Sequence, residues 1–270
     1  AAFPHWYATM FSGYYIPFVF FLLALIARGV GIEYSHHPIN DKWKNVWHWF
    51  IFGGSILAPF LLGVLFTSIL RGMPIDENMT MWATFTDYVN VYSVVGGIAV
   101  VLLTLVHGLT FIGLRTTGPV HTRALSVLKK VYYALFGGLV LFAVLTYFNT
   151  DLFTVRPVAT PVFLGCIVLA ALLGFIFANK GKEGWAFTMS GLTIVLTVAM
   201  LFVGLFPRVM ISSIDPAFNL TINNAASGQY TLSLMTKISL TLLPFVLGYQ
   251  IWSYYIFRKR ISHKDTVNYK

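Results

Sequence analysis

Seven runs of apolar residues, each about twenty residues long, dominate this chain: roughly 10–30, 46–70, 90–113, 130–149, 160–178, 185–206 and 233–256. A helix of that length spans the ~30 Å hydrocarbon core of a bilayer. In hydrocarbon an unpaired backbone N–H or C=O costs several kcal/mol, so such runs must close their own hydrogen bonds as helices. The implied fold class is all-α: a polytopic transmembrane helical bundle with seven spans. Charged residues make up 10% of the chain, against about 25% in soluble domains. Residues 1–270 therefore read as a single integral-membrane domain with no soluble domain appended.

Lysine and arginine set an orientation. Fourteen of the eighteen fall between spans one and two, three and four, five and six, or after the last span. The alternate loops hold Arg71, Arg156 and Arg208, with Lys237 just inside the last run. The positive-inside bias then places the C-terminus in the cytoplasm and Ala1 outside. Asp76, Glu77, Asp87, Asp151 and Asp215 all lie in the outside loops. The net charge of +9 thus marks cytoplasmic loops, not a basic face for nucleic acid. The chain opens Ala1-Ala2-Phe3-Pro4, without methionine or a signal-peptide pattern, which points to a removed segment or a fragment. Its one cysteine, Cys166, lies in an apolar run, where the expectation is a small packing side chain.

Few residues offer chemistry. Of the seven histidines, His107 lies well inside a span. It is a candidate axial ligand for haem, which needs His or Met; the competing role is a hydrogen bond to a neighbouring helix. No carboxylate falls at mid-membrane, which disfavours a secondary membrane transporter, the rival functional class. Arg28 and Glu33 fall in the first cytoplasmic loop, and would pair across it if that loop anchors a partner subunit. Trp43, Trp47 and Trp49 follow in the same loop and suit either the headgroup interface or an anchor onto a partner subunit. The four-residue spacing puts Trp43 and Trp47 on one helical face. Glycine pairs 53–54, 96–97 and 137–138 predict close helix packing, and Pro17, Pro59 and Pro244 predict kinks. No phosphate-binding loop, zinc pattern or hydrolytic triad is present in the sequence.

Several stretches, in order, resemble one family. They are Ala1-Ala2-Phe3-Pro4, Tyr7-Ala8-Thr9-Met10, Ser12-Gly13-Tyr14-Tyr15-Ile16-Pro17, the Arg28…Glu33 loop and Trp43…Trp47-x-Trp49. Gly72-Met73-Pro74, Trp185-x-Phe187, Phe206-Pro207…Ser212-Ser213, Asn224-Ala225-Ala226-Ser227 and Tyr249-Gln250…Trp252-x-Tyr254 continue the series. This pattern is similar to subunit II of the bd-type respiratory quinol oxidases. The resemblance implies a two-subunit membrane enzyme that oxidises isoprenoid quinol and reduces oxygen to water. It implies haem b, haem d and the quinol-binding loop in a partner subunit I, and none ligated by this chain. Subunit II would support assembly, sit among membrane lipid and help line oxygen and proton paths. Two departures stand out: the family usually has eight helices, with a Trp-Asp-bearing stretch before the residues matching Ala1. His48 also stands where the family commonly has aspartate.

Overall fold

The computed structural model describes residues 2–37 and 40–257. The basic cluster Arg258, Lys259 and Arg260, with Lys264 and Lys270, lies outside the described residues, as does Ala1. The helices are α1 (Pro4–Gly13), α2 (Tyr15–Ser35), α3 (Asp41–Arg71), α4 (Phe85–Tyr88), α5 (Val91–Arg115), α6 (Pro119–Asn149), α7 (Leu152–Val155), α8 (Ala159–Asn179), α9 (Glu183–Leu205) and α10 (Gln229–Ile256). Seven of them, α2, α3, α5, α6, α8, α9 and α10, are long and apolar enough to cross a membrane.

The first expected span, 10–30, is divided between two helices. α1 ends at Gly13 and α2 begins at Tyr15, with Tyr14 outside helical geometry at φ −93°, ψ 21°. A side chain at Gly13 would overlap Met81, so the break lets the outer loop approach the backbone closely. Pro17 therefore sits in the first turn of α2, where a missing N–H is least costly, and not at an internal kink as expected. Pro59 and Pro244 do lie inside their helices.

Two helices outrun the apolar runs that announced them. α3 and α6 each have 31 residues, about 46 Å at 1.5 Å per residue, well beyond the hydrocarbon core. The extra turns are polar, and caps fix where they start. The Asn40 side chain accepts a hydrogen bond from the Trp43 amide, with Asp41 in the first turn of α3, and Pro119 opens α6.

Neighbouring spans pack in the chain α2–α3–α5–α6, α8 packs on α9, and α5 also packs on α9. Small residues allow the α3–α5 contact: a Cβ on Gly63 would lie 2.7 Å from both the Gly96 carbonyl and Gly97 Cα. Gly53 and Gly137, by contrast, face open space, so only part of the expected glycine packing occurs. Buried hydroxyls tie spans together, Tyr14 to Ser68 at 2.8 Å and Tyr92 to Thr146 at 3.2 Å. α10 stands apart, with none of its residues buried.

The stretch after α9 is more than a polar excursion. β1 (Arg208–Met210) pairs antiparallel with β2 (Leu220–Thr221), and Met73 bridges Ser212. Met73, Ile75, Met210, Leu220 and Ala225 are all fully buried, which gives this end of the bundle an apolar cap of its own.

Candidate functional site

Four local arrangements carry polar or aromatic chemistry. The first joins α5 to α9 deep in the bundle. His107 Nδ1 lies 2.9 Å from Ser190 Oγ, which lies 3.0 Å from Thr110 Oγ1 and donates to the Phe187 carbonyl at 2.8 Å. Phe187 stacks on the imidazole at 4.6 Å, and Gly191 leaves the room the ring occupies. His107 thus makes the interhelical hydrogen bond that competes with haem ligation, and sequence reasoning had no signal for Ser190 as its partner. Among the described residues, no group of three or more His, Cys, Asp or Glu side chains could hold a metal ion.

The second arrangement lies about 9 Å further along the same helices, six residues beyond His107 on α5. His121, in the first turn of α6, places Nδ1 3.0 Å from the Gly113 carbonyl and Nε2 3.1 Å from Glu183 Oε1 at the start of α9. The sequence analysis singled out neither residue.

The third is the aromatic group expected in the first loop. Trp43 and Trp47 stack at 5.8 Å on one face of α3, and Tyr34 stacks on Trp47 at 5.2 Å. Trp49 turns elsewhere and meets Phe52 edge-on. These tryptophans are helical, not looped, and Trp49 is 70% exposed. Arg28 and Glu33 are helical too. Five residues apart on α2, they point about 140° from each other. The pairing that the partner-anchor alternative implied is not seen: the ion pairs seen among the described residues are His121–Glu183 and Arg208–Asp151. His48 is exposed on α3.

The fourth is a cavity of about 610 Å³ beside the α1–α2 break, lined by Tyr14, Leu61, Leu65, Met81, Phe85 and Tyr88. Tyr88 closes one wall by donating to the Gly13 carbonyl. Burial and the adjacent Asp87 charge both hold the Tyr88 phenol above its usual range.

A polytopic helical membrane protein with a small ordered cap at one end is the class that this fold defines. The family model for cytochrome bd terminal oxidase subunit II matches residues 1–257. The chain belongs to that family, as a membrane subunit of a bd-type terminal oxidase and hence of an oxidoreductase complex. It is 51% identical over 269 residues to cytochrome bd ubiquinol oxidase subunit 2 of Bacillus subtilis (strain 168), covering 100% of this chain and 80% of the relative. Cytochrome bd-I ubiquinol oxidase subunit 2 of Escherichia coli (strain K12) is 30% identical over 298 residues, 98% of this chain and 79% of the relative. A probable cytochrome oxidase subunit 2 of Haemophilus influenzae is 29% identical over 286 residues, 94% and 76%.

Proposed function

We propose that this chain is the subunit of a quinol:oxygen oxidoreductase that ligates no haem. In this reading a partner subunit I binds haem b and haem d and oxidises the membrane quinol, and this chain holds that partner in a competent complex. The names of the relatives, ubiquinol oxidase subunit 2, support both the quinol substrate and the existence of a subunit 1. The assembly role is carried by one observation: α10, a 28-residue apolar helix, buries none of its residues within the chain. The basic helix ends face the cytoplasm in this reading, by the positive-inside bias. Trp43, Trp47 and Trp49 anchor one edge of the subunit at the headgroup level or against the partner.

The test is a reduced-minus-oxidised visible spectrum of the purified two-subunit complex carrying His107→Gln. All b-type and d-type bands should keep their wild-type intensity, and the separated chain should be colourless. A missing haem band in the variant, or haem retained by the separated chain, would overturn the reading.

A further inference from the structure

We propose that Lys237 of α10 forms an ion pair with the partner subunit, meeting an Asp or Glu carboxylate on one of its membrane helices. The inference rests on the reading of this chain as one subunit of a two-subunit oxidase. α10 is held at its end, where the Arg115 guanidinium of α5 donates to the Phe257 carbonyl at 3.0 Å. Along the helix, Leu232, Met235 and Ser253 are partly covered, and every other residue from Gln229 to Ile256 is exposed. At about 100° per residue, those three lie within about 60° of one another, and they mark the side of α10 that turns to its own chain. Lys237 lies about 140–160° round the helix from each of them, so it faces away. Thr241 and Gly248, one and three turns further on, share its face.

Two observations favour protein over lipid on that face. The first is depth. α10 has 28 residues, and its aromatic cluster Trp252, Tyr254 and Tyr255 suits the headgroup level. Counted back from Trp252, ~30 Å of hydrocarbon ends near Leu232, so Lys237 lies about 7 Å inside it. A charge within a span is costly in lipid and ordinarily meets a partner group or faces a bundle interior. Among the described residues, Lys237 has no acidic partner. The second observation is composition. α10 is the least apolar of the seven spans and also the one with nothing buried inside its own chain. Lipid on every side would demand the reverse, because a polar group facing hydrocarbon goes unsatisfied. A covering protein helix removes the contradiction, and a carboxylate on it neutralises the ammonium at low dielectric. That helix packs over Thr241 and Gly248, where small side chains allow close approach.

The experiment starts from the purified two-subunit complex, tagged on this chain and diluted into excess detergent. The readout is the rate at which the haem-bearing partner is lost, followed by the visible absorbance of the retained material. Lys237→Leu should speed that loss at least about tenfold, because truncating one member of a buried charge pair leaves the other unpaired. Lys237→Arg keeps the charge and should stay within about twofold of wild type. Equal rates in wild type and Lys237→Leu would overturn the pair, and are what an ammonium reaching the lipid headgroups gives. Should Lys237→Leu fail to assemble, a benzophenone side chain at Thr241, with Lys237 kept, decides. Light should join it to a peptide from a partner membrane helix that carries Asp or Glu. Adducts on lipid or on this chain alone, or on a partner helix without a carboxylate, would overturn the proposal. Wild type that holds no haem-bearing partner before dilution would overturn the two-subunit reading, and the pair with it.

Discussion

Arg208 grips Asp151 with two parallel hydrogen bonds, Nη1 to Oδ2 at 2.6 Å and Nη2 to Oδ1 at 3.0 Å, joining β1 to the turn before α7. Nearby, the Arg156 guanidinium donates to the Phe206 carbonyl at 2.8 Å and lies over the Phe206 ring. The carboxylate is 41% exposed and the guanidinium 15%, so the pair is only partly screened. Asp151→Asn should destabilise the cap by about 1 kcal/mol, a fork-to-fork pair discounted for that exposure. A double-mutant cycle with Arg208→Gln, read by thermal unfolding, checks this. Strict additivity would show that the pair contributes nothing.

Asp76 organises the loop at the same end. The Trp82 indole, then the Thr80 and Asn78 amides, hold its carboxyl below the usual carboxylate range. A depressed folded value means that the loop contribution is complete above the ordinary carboxylate range. It fades as pH falls through the lower folded value. The fluorescence difference between wild type and Trp82→Phe should therefore stay constant from neutral pH to about pH 4 and change only in stronger acid. Asp76→Asn should show the acid-like emission at neutral pH.

Glycine substitutions separate tight from open helix faces. Gly63→Ala would press a methyl group into the α5 backbone at Gly96 and Gly97, which cannot rotate away. The expected cost is about 1–3 kcal/mol, as for other overpacked sites. Gly137→Ala meets nothing within 4 Å and should be neutral or slightly stabilising. Unfolding midpoints of the two variants in one detergent decide the matter, and equal losses would show that the α3–α5 approach is not close.

Orientation is open to direct labelling. In a Cys166→Ala background, a cysteine at Glu77 should react with a membrane-impermeant maleimide in intact cells. One at Lys182 should react only after the membrane is opened. Both positions are exposed, so accessibility depends on the side of the membrane alone. The reverse pattern would invert the positive-inside assignment.

The spans were legible because hydrophobicity accumulates over about twenty residues, and each apolar run coincides with one of the seven long helices apart from its ends and the α1–α2 break. Their ends were not. Hydropathy registers only the part of a helix in lipid, so the polar first turns of α3 and α6 read as loop. Arg28 and Glu33 misled for the same reason: a basic and an acidic residue beside an apolar run read as a loop pair, while the helix carried them to different faces. Trp43 and Trp47 were placed correctly on one face because their spacing is local. Ser190 and Glu183 lie more than sixty residues from their histidine partners, and no local pattern announces such contacts.

The sequence by itself determined the class of fold, the number of spans and the family, since a bilayer tolerates few arrangements of a chain this apolar and the motifs lie in order along it. Tertiary structure decided which polar side chains meet. His107 stood out along the chain as the histidine well inside a span, and His121 fell between two spans. One became a tie between α5 and α9 through Ser190. The other became a bridge between two helix termini, because only packing brought a carbonyl and a carboxylate to its two nitrogens.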